Sequence, residues 1–121
     1  MPVSSAVRKR IRGFLEPDDE IHYVFPAEVV GSAVPSVIIV ASRQAITILS
    51  TGFWRRTTPK SVLSRNPRNL RLGPVDTQLT PWFTLNGIEY EVDEEYVSVI
   101  NAADAELTSR DLAPPDPLPD L

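Results

Sequence analysis

Two runs of mostly β-branched apolar residues, Val37-Ile38-Ile39-Val40-Ala41 and Ala45-Ile46-Thr47-Ile48-Leu49, stand three polar residues apart in the chain. Successive side chains of a strand point to opposite faces, so a run that is apolar throughout predicts a strand buried on both. Ser42-Arg43-Gln44 between them predicts the turn of a hairpin. Such a ribbon belongs at the centre of the molecule. The rest of the chain must cover it from two sides.

The flanking patterns predict what does the covering. Ser4 or Ser5 can cap a short helix with Val7, Ile11, Phe14 and Leu15 on one face and a basic cluster on the other. Gly13 weakens this helix and Pro17 ends it, so an N-terminal amphipathic unit spans residues 1–16. Ile21, Tyr23 and Phe25 alternate with His22 and Val24 as a first strand; Pro26 places its end at an edge or bulge, and Ala27 to Val30 can continue it. Further short strands are expected over Phe53–Thr58, Ser61–Arg65, Asn69–Leu72 and Val75–Leu79, punctuated by Gly and Pro.

Phe83-Thr84-Leu85-Asn86-Gly87-Ile88-Glu89-Tyr90 carries the sharpest local signal. Asn-Gly between alternating apolar residues predicts a two-residue type I′ turn, because both positions need positive φ. The register follows: Leu85 opposite Ile88 and Phe83 opposite Tyr90 toward the core, Thr84 opposite Glu89 and Trp82 opposite Glu91 away from it. Asp93 then caps a helix over Glu94 to Leu107 with Tyr96, Val99, Ile100, Ala103 and Leu107 as its apolar stripe. The Pro- and Asp-rich stretch over 109–121, densest from Ala113, cannot build a core and is expected to be a disordered tail. The whole reads as a mainly β, α+β domain over 17–108, of about seven antiparallel strands sealed by a C-terminal helix.

Composition narrows the function classes. At 121 residues the chain is one domain. It has no cysteine, which removes disulfides and thiolate chemistry and suits a cytoplasmic protein. No apolar run approaches the roughly 20 residues of a membrane span. Charge is unevenly spread: residues 1–75 carry eleven Lys/Arg and five Asp/Glu, residues 76–121 one Arg and eleven Asp/Glu. Such asymmetry is a feature of association rather than of fold.

The pattern resembles a bacterial pleckstrin-homology-like domain of the PH/GRAM-like group. The likeness is carried by Leu15-Glu16-Pro17-Asp18-Asp19-Glu20-Ile21, Val37 to Leu49, Phe53-Trp54-Arg55-Arg56 with Pro59-Lys60, and the last hairpin followed by Ala102-Ala103-Asp104-Ala105-Glu106. It covers most of residues 14–107. The resemblance implies a partly open barrel of about seven strands capped by the helix, and a binding role toward proteins, anionic lipids or copies of itself, without chemistry. Inositide-binding relatives carry basic residues around the first strand-to-strand loop, whereas this chain has no Lys or Arg from Gly13 to Ser42.

The residues hold no catalytic constellation. His22 is the single histidine and has no Cys or His partner, and Glu89, Glu91, Asp93, Glu94 and Glu95 lack a cation-loop spacing. No metal, cofactor or small-molecule substrate is expected. The candidate binding surface is the basic band Arg55, Arg56, Lys60, Arg65, Arg68 and Arg71, with Trp54 beside it for stacking. An acidic protein surface, including the acidic half of a second copy, is its first expected partner. An anionic membrane at the inner face is the alternative. Nucleic acid ranks last, given a pI near 4.9.

Overall fold

The central ribbon forms as its pattern predicts. In the computed structural model, which describes residues 5–33, 36–51 and 58–112 (108–112 by backbone alone), β2 (Ser36–Ser42) and β3 (Ala45–Thr51) pair antiparallel, with Ile39 opposite Ile48. Val37, Ile39, Ala41, Ile46 and Ile48 face one side, Ile38, Val40 and Leu49 the other, and none is more than 3% exposed. Burial on both faces requires two covers, and the chain supplies them from its two ends.

Helix α1 (Ser5–Arg12) covers one face through Val7 and Ile11, which pack on Val24, Ile38, Val40 and Leu49. Phe14 and Leu15 fall beyond the helix but join the same cluster. The other face is covered by a hairpin, β5 (Trp82–Leu85) and β6 (Ile88–Glu91), and by α2 (Val97–Leu112). The hairpin has the predicted register at all four pairs, and Asn86 and Gly87 hold φ of 52° and 81° as a type I′ turn requires. Phe83, Leu85 and Tyr90 are buried, while Ile88 is exposed beside the turn.

The stripe Tyr96, Ile100, Ala103 and Leu107 is buried as expected, with Val99 half-buried. A single 3-10 turn, Glu94–Tyr96, precedes α2, and its N–H on Tyr96 bonds the Asp93 carbonyl rather than the Asp93 side chain. Helix α2 runs on to Leu112, so its last turn includes residues 109–112, which the sequence assigns to a tail; residues 113–121 lie outside the described residues.

The strands form one antiparallel sheet in the order β4-β3-β2-β1-β6-β5, curled into a half-barrel, with β1 at Ile21–Val29 and β4 at Pro59–Pro67. The curl brings the hairpin turn to the far edge strand, where the Asn86 side-chain amide donates to Asn66 Oδ1 at 2.8 Å. Pro26 does not end β1. That strand pairs β2 from Ile21 to Glu28 but meets β6 only at Glu28 and Val29, so Pro26 lies where one side of β1 has no ladder to interrupt. Likewise β4 begins at Pro59 and extends to Pro67, on the outer edge of the sheet where proline is tolerated.

Among the described residues six strands form, against the expected total of about seven. The strand expected over Phe53–Thr58 lies almost wholly outside the described residues. Asn69–Leu72 makes no strand because the N–H groups of Leu72 and Gly73 donate instead to the two Asp104 oxygens on α2, each at 2.8 Å. A Cβ at Gly73 would stand 3.0 Å from Asp104 Oδ2, so glycine permits this approach. Of Val75–Leu79, only Asp76 makes a bridge, to Trp82.

A second carboxylate ties the start of β1 to the β2–β3 turn. Asp19 is buried and accepts hydrogen bonds from Ser42 Oγ (2.6 Å) and from the N–H groups of Glu20 (2.8 Å) and Gln44 (3.1 Å). Burial pushes its pKa up. The Ser42, Glu20 and Gln44 bonds and the Arg43 charge outweigh that and hold it below the ordinary aspartate value. Asp19→Ala strands these donors, which at about 1–3 kcal/mol for a buried unsatisfied group predicts a loss of about 2 kcal/mol in urea unfolding at neutral pH.

Candidate binding surface

The fold distributes the basic band over two regions. Trp54, Arg55 and Arg56 lie outside the described residues. Lys60 and Arg65 are exposed on β4. Arg65 pairs with Thr47, on the side of the sheet that α1 covers, and its guanidinium donates to the Phe14 carbonyl at 2.6 Å. It also lies 3.7 Å from Glu16, an exposed pair of the kind worth about 0–1 kcal/mol.

Arg68 and Arg71 serve α2 instead. The Arg68 side chain is only 5% exposed; it donates to the Ala103 carbonyl at 3.2 Å and lies 3.6 Å from Glu106 Oε1. Arg71 donates to the Asp104 carbonyl at 3.2 Å and stays at the surface. Both guanidiniums therefore hold the segment after β4 against the helix, together with the Asp104 bonds to Leu72 and Gly73. Glu106 also meets His22 Nδ1 at 3.1 Å, so the single histidine sits half-buried between strand and helix.

The sequence reading missed that α1 completes the other half of the band. Helix α1 lies against β4, and Arg10 reaches Thr58 Oγ1 at 3.5 Å. The signal was available in the cluster Arg8-Lys9-Arg10-Ile11-Arg12, which turns Val7 and Ile11 inward and so must turn Lys9 and Arg10 outward. Three further guanidiniums pin the connection from α1 to β1: Arg12 donates to the carbonyls of Pro17 and Asp19, Arg43 to that of Asp18, and Arg65 to that of Phe14. Carbonyl acceptors orient these groups without cancelling their charge, and Arg65 has in addition the exposed Glu16 carboxylate 3.7 Å away. Lys9 and Arg10 of α1 and Lys60 and Arg65 of β4 are exposed, as are Val62 and Leu63 of β4 at 42% and 58%, and Val62, opposite Leu49, lies on the side that α1 covers. Leu63 is the extra residue of a bulge opposite Ile48 and Leu49.

The opposite side of the molecule is acidic. Phe83, Leu85 and Tyr90 point inward from the hairpin, so alternation sends Trp82, Thr84, Glu89 and Glu91 outward. Glu28 stands directly across from Glu91, which stands across from Trp82. Near this row an open hollow of about 340 Å³ is lined by Pro26, Ala27, Val37, Val92 and the acidic Glu28, Glu91 and Asp93. Among the described residues no group of three His, Cys, Asp or Glu side chains is placed to hold a metal ion, and no helix is long and apolar enough to cross a membrane.

No family model, curated protein or solved structure matches the chain.

Proposed function

We propose that this chain is a non-catalytic, pleckstrin-homology-like binding module that recognises an acidic protein surface through the face shared by α1 and β4. The observation that carries the reading is that α1 lies against β4, with Lys9, Arg10, Lys60 and Arg65 exposed on the two elements and Val62 and Leu63 exposed on β4. An apolar centre with a cationic rim is the composition of a protein-docking patch, in which complementary charge guides encounter and contact area holds the partner. Helix α1 and β4 together hold Arg8, Lys9, Arg10, Arg12, Lys60 and Arg65 and no Asp or Glu, which favours an acidic partner. The pleckstrin-homology-like part of the reading is supported by the strand order and by the terminal helix sealing the concave face. The cytoplasm is the location that goes with it.

An anionic membrane is the second reading, favoured by the same pairing of exposed Val62 and Leu63 with cations. Basic residues near such a surface contribute about 1 kcal/mol each, and the attraction fades within a Debye length of about 10 Å at 0.1 M salt. Immobilised poly-glutamate and phosphatidylserine vesicles separate the two. The protein is expected to be retained by poly-glutamate at low salt and not to pellet with vesicles. The substitutions Lys9→Glu, Arg10→Glu and Lys60→Glu together should weaken retention by about tenfold or more, at roughly 0.5–1 kcal/mol each. Salt-sensitive pelleting would install the membrane reading, and no binding to either probe would leave the face a solvated edge.

A further inference from the structure

We propose that the acidic surface is carried by a second copy of this chain, joined head to tail, the α1–β4 face of one molecule seated on the outward face of the β5–β6 hairpin of the next. The inference rests on the basic-face reading above and names its partner. Its ground is the placement of the two charged faces. Helix α1 covers one side of the β2–β3 ribbon and the hairpin covers the other, so the exposed side of α1 and the outward side of the hairpin look in opposite directions.

The faces also match in chemistry. Residues 51–75 hold no Asp or Glu, and residues 72–109 hold no Lys or Arg. Each face has an exposed apolar residue, Val62 on the α1 side of β4 and Trp82 across from Glu91. Within one molecule the opposed faces cannot meet; between molecules they can. Because the contacting surfaces differ, the contact is heterologous, and each added copy presents a fresh face of each sign. Association therefore propagates into chains or rings instead of stopping at a dimer.

Sedimentation velocity of the full chain over a range of concentration and salt tests this. Wild-type mass should rise with protein concentration and fall as salt is added. Lys9→Gln/Arg10→Gln removes charge from one face, and Glu89→Gln/Glu91→Gln from the other. Each variant alone should shift toward monomer while melting within a few degrees of wild type. Mixed together, the two should form a one-to-one complex that grows no further, since each retains one intact face. A wild type that stays monomeric at every concentration overturns the proposal, as does a mixture no heavier than its components. Retention of that monomeric wild type on poly-glutamate would leave the basic-face reading standing and remove only the copy-to-copy partner.

Discussion

Phe83→Ala should lower stability by about 3–5 kcal/mol, the range for deleting a fully buried aromatic ring. Phe83 is 1% exposed, stacks on Tyr90 with ring centres 5.5 Å apart, and meets Phe25 edge-on at 6.2 Å. Strands β5 and β6 have four residues each, and the hairpin's ladder to β1 is short: β6 pairs with Glu28 and Val29, and the Val30 N–H donates to the Glu89 carbonyl. A two-stranded hairpin is at best marginal alone, so this one stays in place by burying Phe83, Leu85 and Tyr90. Losing the Phe83 ring uncovers the ribbon face that includes Ile39 and Ile48. Urea unfolding of Phe83→Ala beside Thr84→Ala, one residue on and facing outward, is the check: the second should change stability by less than about 0.5 kcal/mol. Equal small effects from both would mean the hairpin does not seal the core.

Glu106→Ala should cost about 3 kcal/mol, toward the lower end of what breaking a buried ion pair costs. The Arg68 charge has almost no solvent and lies 3.6 Å from Glu106 Oε1, so removing the carboxylate strands a buried cation. Glu106 itself is about a quarter exposed, and water screens part of the pair. Burial pushes the Glu106 pKa up, but the hydrogen bond and charge of His22, the Tyr23 hydroxyl and Arg68 outweigh it and hold it below 4.5. A lowered native pKa means the folded state binds the proton more weakly than the unfolded one. This contribution is therefore fully present above pH 4.5 and is lost as the pH falls through the lower native value. Asp19 follows the same sign below its ordinary 3.8. Stability measured from pH 7 downward should stay level and then drop in acid, and the drop should be shallower in Glu106→Gln.

The sequence disclosed those elements whose local pattern and tertiary role agree. The ribbon over Val37–Leu49 is apolar on both faces because α1 and the hairpin cover both, and Asn86-Gly87 set the hairpin register through backbone φ alone. What stayed hidden depends on partners distant in the chain. Nothing local to Asn69–Leu72 reveals that Asp104 takes the N–H groups of Leu72 and Gly73, or that Arg68 is enclosed by α2 rather than presented to solvent. Side-chain charge in a list of residues carries no address. For the same reason the band could not be divided in advance, nor Lys9 and Arg10 joined to Lys60 and Arg65, because that union needs α1 to lie against β4. Pro26 misled for a related reason: proline interrupts a strand only where a neighbour needs its N–H, and here β6 begins two residues later.

The central claim is that one face, built from α1 and β4, binds acidic surfaces. Titrating poly-glutamate into isotope-labelled protein and following backbone amide resonances tests it residue by residue. Shifts confined to Ser5–Arg12 and Lys60–Arg65 and reversed by salt are the predicted result. Shifts centred on Trp82–Glu91, or on Arg68 and Arg71 beside α2, would contradict it.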